Sequence, residues 1–344
     1  MPLVQRLGVD LGPRTRHGSP AVTRATRTES PSRLRVGIDE NGLGPRLGPL
    51  IVTAVVARTP VDGEDAVLES PKGALSSRIG DSKKLVSFAD SDLGEAWAQV
   101  LCARAGLPAP GTPDDLINAL SIDPAAVLQR PCPDAHRAQC WSTHGEALVA
   151  DAPLMATLAK DATKLGRKGI ELLGAHVVIL CTERLNERAA QGVSRFQTDL
   201  HAMERLVLHA RERYGAELDV TCGKVGGYNS YPGAFGPLSG YLYTTLEEGR
   251  ARSAYRIANV GDIAFVRDAD DSHLLVALAS LVGKWVRDFL TRRVTRYHRA
   301  VDPSLPEVSG YHDPITARFV DASALARKER GVPDVCFERV KAAV

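Results

Sequence analysis

The sequence predicts an α/β fold, a mixed β-sheet with helices packed on it, from three observations. Two apolar runs, Leu34–Asp39 and Leu50–Ala57, are joined by a short Gly/Pro-rich loop and read as adjacent strands. Further along, strand-like runs alternate with segments of helical periodicity, the pattern of a layered α/β domain. With 344 residues, 44% hydrophobic and 24% charged, the chain has the composition of a soluble globular protein, large enough for one domain with insertions or for two smaller ones.

Residues 1–33 are rich in Arg, Thr, Ser and Pro and lack an apolar core, so they read as a disordered basic tail or as an arm for nucleic-acid phosphate. The first strand ends in the turn-rich segment Asn41-Gly42-Leu43-Gly44-Pro45-Arg46-Leu47-Gly48-Pro49. Asp81-Ser82-Lys83-Lys84-Leu85 lies in a polar loop leading into a helix, and residues 86–169, punctuated by Ala and Pro, read as a largely helical insertion. His176–Cys181 has the composition of a buried strand. Residues Phe196–Tyr214 place Leu200, Met203, Leu206, Val207 and Ala210 at helical spacing, and Gly215 stops that helix. A strand at Leu218–Cys222 runs into the loop Gly223-Lys224-Val225-Gly226-Gly227, and Arg256–Ala269 contains another strand. A long helix covers His273 to Arg299, a last one Ile315–Arg327, and 328–344 form a C-terminal extension.

The net charge of +2 predicts no partner by itself, so a nucleic-acid surface would have to be a local patch. Six scattered cysteines without CxxC pairs argue against structural zinc and a disulfide framework. No apolar stretch reaches a membrane-spanning length, so a cytoplasmic monomer is expected. Neither a Walker loop nor a dinucleotide fingerprint is present.

Asp39-Glu40 is the first chemically informative pair. On a regular strand adjacent side chains face opposite ways, but a bent strand end can aim both at one site. Oxygen-rich clusters of this kind suit magnesium or manganese, whereas the bland reading is a solvated turn. Taken with its surroundings, Val36-Gly37-Ile38-Asp39-Glu40-Asn41-Gly42-Leu43-Gly44-Pro45 resembles the N-terminal signature of the ribonuclease HII/HIII family. Ile79-Gly80-Asp81-Ser82-Lys83-Lys84-Leu85 is similar to its second motif. Asp270 followed by Val276–Lys284 and Arg287-Asp288 is similar to its last carboxylate and the helix behind it. The resemblance covers roughly residues 34–85 and 175–325.

The resemblance implies a ribonuclease H-like domain over 34–327 and hydrolysis of a phosphodiester beside a ribonucleotide, with carboxylate-held Mg²⁺ or Mn²⁺. It assigns Asp39, Glu40 and Asp270 to catalysis and metal binding, their carboxylates converging within about 4–8 Å. Gly42, Leu43 and Gly44 would face the ribose, since a loop without Cβ lets backbone approach closely. Lys83 or Lys84 would meet phosphate.

Three departures qualify this. Leu43 stands where the family has arginine, and Gly223 where it has a third aspartate. Asp219 shares strand parity with position 223 but lies about 13 Å away along an extended chain. Asp268 stands where a lysine is usual; on a strand it would face Asp270's side about 6–7 Å away, making it a candidate metal ligand that approaches the vacancy. Asp271 is a second candidate, and His273 reads as a cap or surface residue. Arg287, Arg292, Arg293 and Arg296 read equally as a phosphate-tracking or a solvated face. Two functions follow: a metal-dependent endoribonuclease acting on RNA–DNA hybrids or ribonucleotides embedded in DNA, or a catalytically impaired hybrid-binding protein.

Overall fold

The computed structural model describes residues 32–68, 71–88, 90, 92–130, 139–143, 145–215, 217–226 and 228–340. The tail expected over 1–33 lies outside them except for Ser32 and Arg33, which open the first strand. The described residues form a seven-stranded mixed sheet of order β3-β2-β1-β4-β7-β6-β5. Its strands are β1 (Ser32–Asn41), β2 (Leu50–Pro60), β3 (Glu171–Leu180), β4 (Leu218–Gly223), β5 (Tyr243–Glu248), β6 (Arg252–Ile257) and β7 (Gly261–Val266). As expected, β1 and β2 are adjacent; they pair antiparallel, with Asp39 opposite Thr53. It also pairs parallel with β4, Ile38 opposite Cys222, and β4 pairs parallel with β7. Three neighbouring strands therefore deliver their carboxyl ends to one edge of the sheet, where α/β folds place their sites.

Before the third strand come α1 (Glu64–Leu68), α2 (Ser82–Leu85), α3 (Asp92–Arg104), α4 (Pro113–Leu120), α5 (Ala125–Leu128) and α6 (Ala152–Arg167). Among the described residues of 86–169, α3 to α6 are joined by loops. After β3 come α7 (Thr182–Ala190) and α8 (Arg195–Tyr214). Ser194 and Gln197 form a capping box at the start of α8, and Gly215, at φ +69°, ends it. After β7 follow α9 (Ala269–Ser272), α10 (Leu274–Arg299), α11 (Pro314–Ala322), α12 (Ala324–Glu329) and α13 (Asp334–Phe337). The single last helix expected over Ile315–Arg327 is two, divided at Ser323.

The two faces of β1 explain how the sheet is covered. Val36 and Ile38, with Val220 and Cys222 of β4, pack beneath Leu200, Met203, Leu206 and Val207 of α8. The opposite face meets α10, whose Leu275, Leu278 and Leu281 join Ile51, Val55, Trp97 and Leu101 in a second core. Each such side chain contributes about 1.5–3 kcal/mol on burial. Contact is close enough that a Cβ on Gly37 would collide with Leu275, and one on Gly283 would lie 2.7 Å from Thr53 Oγ1. Glycine at these two positions lets α10 press its Ser280 turn against the end of β1.

The arginines of α10 correct the expectation of a phosphate-tracking or solvated face. Arg293, 1% exposed, is held by Asp114 (2.7 Å) and Glu146 (2.9 Å) from the helical segment. Arg296 also reaches Glu146, and Arg292 donates to the Phe88 carbonyl. Arg287 is buried against Asp288 and the Ser309 carbonyl. They tie the helical layer to the sheet. Cys102, Cys140, Cys181 and Cys222 are free and buried, whereas Cys336 is disulfide-bonded, which the cysteine spacing did not foretell.

Candidate active site

A cleft of about 250 Å³ opens at the carboxyl ends of β1, β4 and β7. Asp39, Glu40, Asp270, Lys83, the Gly42–Gly44 loop and Tyr311 line it. Sequence separation between these residues is large, and the parallel pairing of β1, β4 and β7 is what joins them. Gly37 lies under α10 and Ile38 under α8, so the alternation of a strand sends Asp39 toward α10 and Glu40 toward α8.

Asp39 accepts a hydrogen bond from Ser280, and Ser280 Oγ stands 2.9 Å from Ser82 Oγ. With Ser280 donating to the carboxylate, Ser82 is the group that donates to Ser280. This relay ties the second sequence motif to the first. Burial pushes the Asp39 carboxyl well above the usual range, and the nearby charges of Glu40 and Asp270 push it further. Glu40 is pushed up to about 8, by burial first and then by Asp199, with Asp270 adding and Lys83 opposing. Asp270 is raised by burial while Lys83 opposes. Lys83 is itself raised: burial works against its charge, but Asp270, Asp81, Asp39 and Glu40 outweigh burial. Lys83 is thus the cationic partner of the cleft. Lys84 is not; it points away to Asp271 (2.9 Å) and Asp81 (3.3 Å).

The glycines of the loop serve different ends. Gly42 sits at φ +94°, and a Cβ there would stand 3.0 Å from both Arg287 Nε and the Pro49 carbonyl. Gly44 meets nothing within 4 Å, so its side of the loop is open to a ligand. Leu43 is half-buried, and its carbonyl accepts from Arg195 at 3.3 Å. From the C-terminal segment the buried Arg339 donates to the carbonyls of Gly42 (2.6 Å) and Gly48 (2.7 and 2.9 Å). Burial among carbonyls, near Arg195 and Arg287, lowers its pKa to about 9. The sequence missed this clamp, because an arginine in a C-terminal extension carries no local signal.

Asp268 does not stand where strand parity would put it. β7 ends at Val266, and Asp268 adopts left-handed backbone (φ 54°) as the residue before α9. The turn breaks the alternation that would have aligned it with Asp270. Its side chain, 75% exposed, lies at the cleft rim 3.4 Å from Arg267. Asp219 is engaged by Arg35. Asp271 is exposed and paired with Lys84. His273 caps α10, its Nδ1 accepting from the Val276 amide at 3.4 Å, but it is buried rather than at the surface. A Cβ on Gly223 would lie 3.1 Å from Asp39 Oδ1, so Asp39 leans over the position that lacks a carboxylate.

The side chain that sequence reasoning missed is Asp199 on α8. It is fully buried, and neither of its carboxylate oxygens has a hydrogen-bond partner. Burial and Asp39 raise it well above the carboxylate range. Its signal was available: Asp199, Met203, Leu206 and Ala210 recur at helical spacing, which sets a carboxylate in the apolar stripe.

Among the described residues no three His, Cys, Asp or Glu side chains are grouped so as to hold a metal ion. The donor chemistry nonetheless suits a divalent ion of the magnesium type, which binds through one or two carboxylates and completes its shell with water and substrate phosphate. Asp39 and Glu40, adjacent and short of positive partners, are such a pair.

No family model matches the sequence. A ribonuclease HII from Rhizorhabdus wittichii is 27% identical over 140 residues, 36% of this chain and 63% of that protein. Over that stretch the chain is similar in sequence to a ribonuclease HII, and it spans less than two thirds of that relative's length. Solved structures with a similar fold include Bst-RNase HIII in complex with Mn²⁺ (14% identity, TM-score 0.44, covering 91% of this chain and 68% of that one). Another is the RNase HII of Archaeoglobus fulgidus in its complex with PCNA (15%, TM-score 0.37, 90% and 96%). In this ribonuclease HII-like chain no helix among the described residues is long and apolar enough to cross a membrane.

Proposed function

We propose that this chain is a nuclease that cuts the RNA strand of RNA–DNA hybrids, or DNA at an embedded ribonucleotide, with Mg²⁺ or Mn²⁺. Residues 34–327 would form the ribonuclease HII-like domain and 328–344 an extension that clamps its substrate loop. The observation carrying this reading is one cleft in which Asp39, Glu40 and Asp270 face Lys83 and the open side of Gly44. Asp39 and Glu40 would hold the ion, with Asp270 in the same cleft. When bound, a divalent ion supplies positive charge against the scissile phosphate and favours deprotonation of the attacking water. The Ser82–Ser280 relay holds the Asp39 carboxylate in one orientation. Lys83 offers a point charge to phosphate, and the bare backbone at Gly44 leaves room for a ribose and its 2′-hydroxyl.

A second reading, a hybrid-binding protein without turnover, is favoured by Gly223 and by the absence of a three-carboxylate group among the described residues. Incubation with a duplex containing one ribonucleotide, with magnesium, manganese and chelator compared, separates the two. Metal-dependent cleavage beside the ribonucleotide supports the nuclease. Tight hybrid binding with no cleavage under any metal supports the second reading, and neither result would remove both.

A further inference from the structure

Asp199 is a buried carboxyl group with no hydrogen-bond partner. A carboxylate taken out of water costs several kcal/mol unless it is paired or hydrogen-bonded. Elsewhere among the described residues buried carboxylates are paired: Asp288 with Arg287 and Lys284, Asp161 with Arg78, Glu204 with the amides of Gly236 and Leu238. Both oxygens of Asp199 lack a partner. Its helix packs on β1, β2 and β4, and the alternation of β1 turns Glu40 toward that same helix. Across the sheet, the carboxyl end of β4 carries Gly223 and no carboxylate, while Asp39 leans over it.

We propose that Asp199 replaces the carboxylate missing at Gly223, acting from α8, behind Glu40, as a positioning residue that strengthens the hold of the cleft on a divalent cation. This rests on the proposed function, since the cation is the one that the cleft would bind. Negative charge at the sheet tip is thereby restored from the opposite face of the sheet. Because the described side chains do not group three-fold around one point, the contribution of Asp199 runs through Glu40 rather than by direct ligation. In the metal-free protein burial and the repulsion of Asp39 disfavour its charged form. A purely structural role would show the reverse: loss of stability on substitution and no effect on cation binding.

The test is titration of the full chain with Mn²⁺, read from the electron paramagnetic resonance of the free ion, alongside thermal melts without metal. Asp199→Asn, and Asp199→Leu in case a buried amide hinders folding, should weaken Mn²⁺ binding roughly 10- to 100-fold, the range for losing an outer-sphere partner. Neither should lower the metal-free melting temperature. Adding Gly223→Asp to Asp199→Asn should restore affinity to within a few-fold of the parent. Mn²⁺ affinity within two-fold of the parent in both single variants overturns the inference, as does a lowered metal-free melting temperature with unchanged affinity. Asp39→Asn is the control. If it weakens binding while the Asp199 variants do not, only this inference falls; if it too has no effect, the cleft is not the cation site and the proposed function falls with it.

Discussion

Two charged regions of this molecule, one along α10 and one at the sheet tip, are built by opposite rules. Along α10, Arg293 is enclosed by Asp114 and Glu146, and Asp288 by Arg287 and Lys284. Every carboxylate there faces a cation. At the sheet tip Asp39, Glu40, Asp270 and Asp199 outnumber the two lysines of the cleft, Lys83 and Lys224, and Asp199 has no hydrogen bond. Low dielectric makes both arrangements energetically large, in opposite directions. Paired charges hold the helical layer in place. Unpaired ones mark where positive charge must come from outside the chain.

The sharpest way to break the contrast is to damage the paired side. Arg293→Ala leaves Asp114 and Glu146 facing a buried gap, and its expected cost is about 3–5 kcal/mol in denaturant unfolding. Hybrid binding per folded molecule should not change. A loss below about 1 kcal/mol would mean that the arginines of α10 are solvated after all.

On the unpaired side the expected effects fall on cation binding rather than stability. Ser82→Ala removes the donor behind Ser280 and leaves Asp39 free to turn. Mn²⁺ affinity should fall about 10- to 100-fold, while unfolding free energy changes by about 1 kcal/mol. Equal Mn²⁺ affinity in calorimetric titration would show that the relay orients nothing.

The loop glycines sharpen the comparison further. Gly42→Ala forces a Cβ into left-handed backbone beside Arg287 and Pro49, and should destabilise the fold by about 1 kcal/mol or more. Gly44→Ala meets open space, so its stability should stay within about 0.5 kcal/mol while affinity for an RNA–DNA hybrid drops. Hybrid affinity unchanged by Gly44→Ala would place the ribose elsewhere.

Much of this was legible in the sequence because it is local. The strand–loop–strand of β1 and β2, the helix over 195–214 and the long helix α10 each carry a periodic signal. Asp39, Glu40, Asp270 and Lys83 sit in short motifs whose order survives. Asp268 was misplaced because strand parity was carried two residues past the end of β7, into a left-handed turn. The pairing of Arg293 was hidden because its partners come from 114 and 146, in a segment with weak periodicity. Asp199 was passed over because its helix reads as amphipathic from its apolar residues, and the carboxylates in their stripe were not weighed.

The smallest expected effect is in pH dependence, and it tests the unpaired charges directly. A carboxyl held near 8 in the folded protein, as Glu40 is, binds a proton that the unfolded chain has already released above about 4.5. The folded state then carries the extra proton, so stability falls as pH rises through that window. Asp39 and Asp199 act in the same direction. Two buried histidines work from the other side. His176, lowered to about 3, and His273, lowered to about 4, stay neutral when folded. The unfolded chain gains those protons below about 6.5, so stability is lost as pH falls beneath that value. Metal-free protein should therefore melt a few degrees lower at pH 8 than at pH 6.5. Millimolar Mn²⁺ should flatten that upper limb by replacing the protons with a cation, while the loss carried by the histidines below about 6.5 remains. Asp199→Asn should make the metal-free upper limb shallower. An upper limb equally steep with and without Mn²⁺ would show that the carboxylates at the sheet tip do not bind the ion.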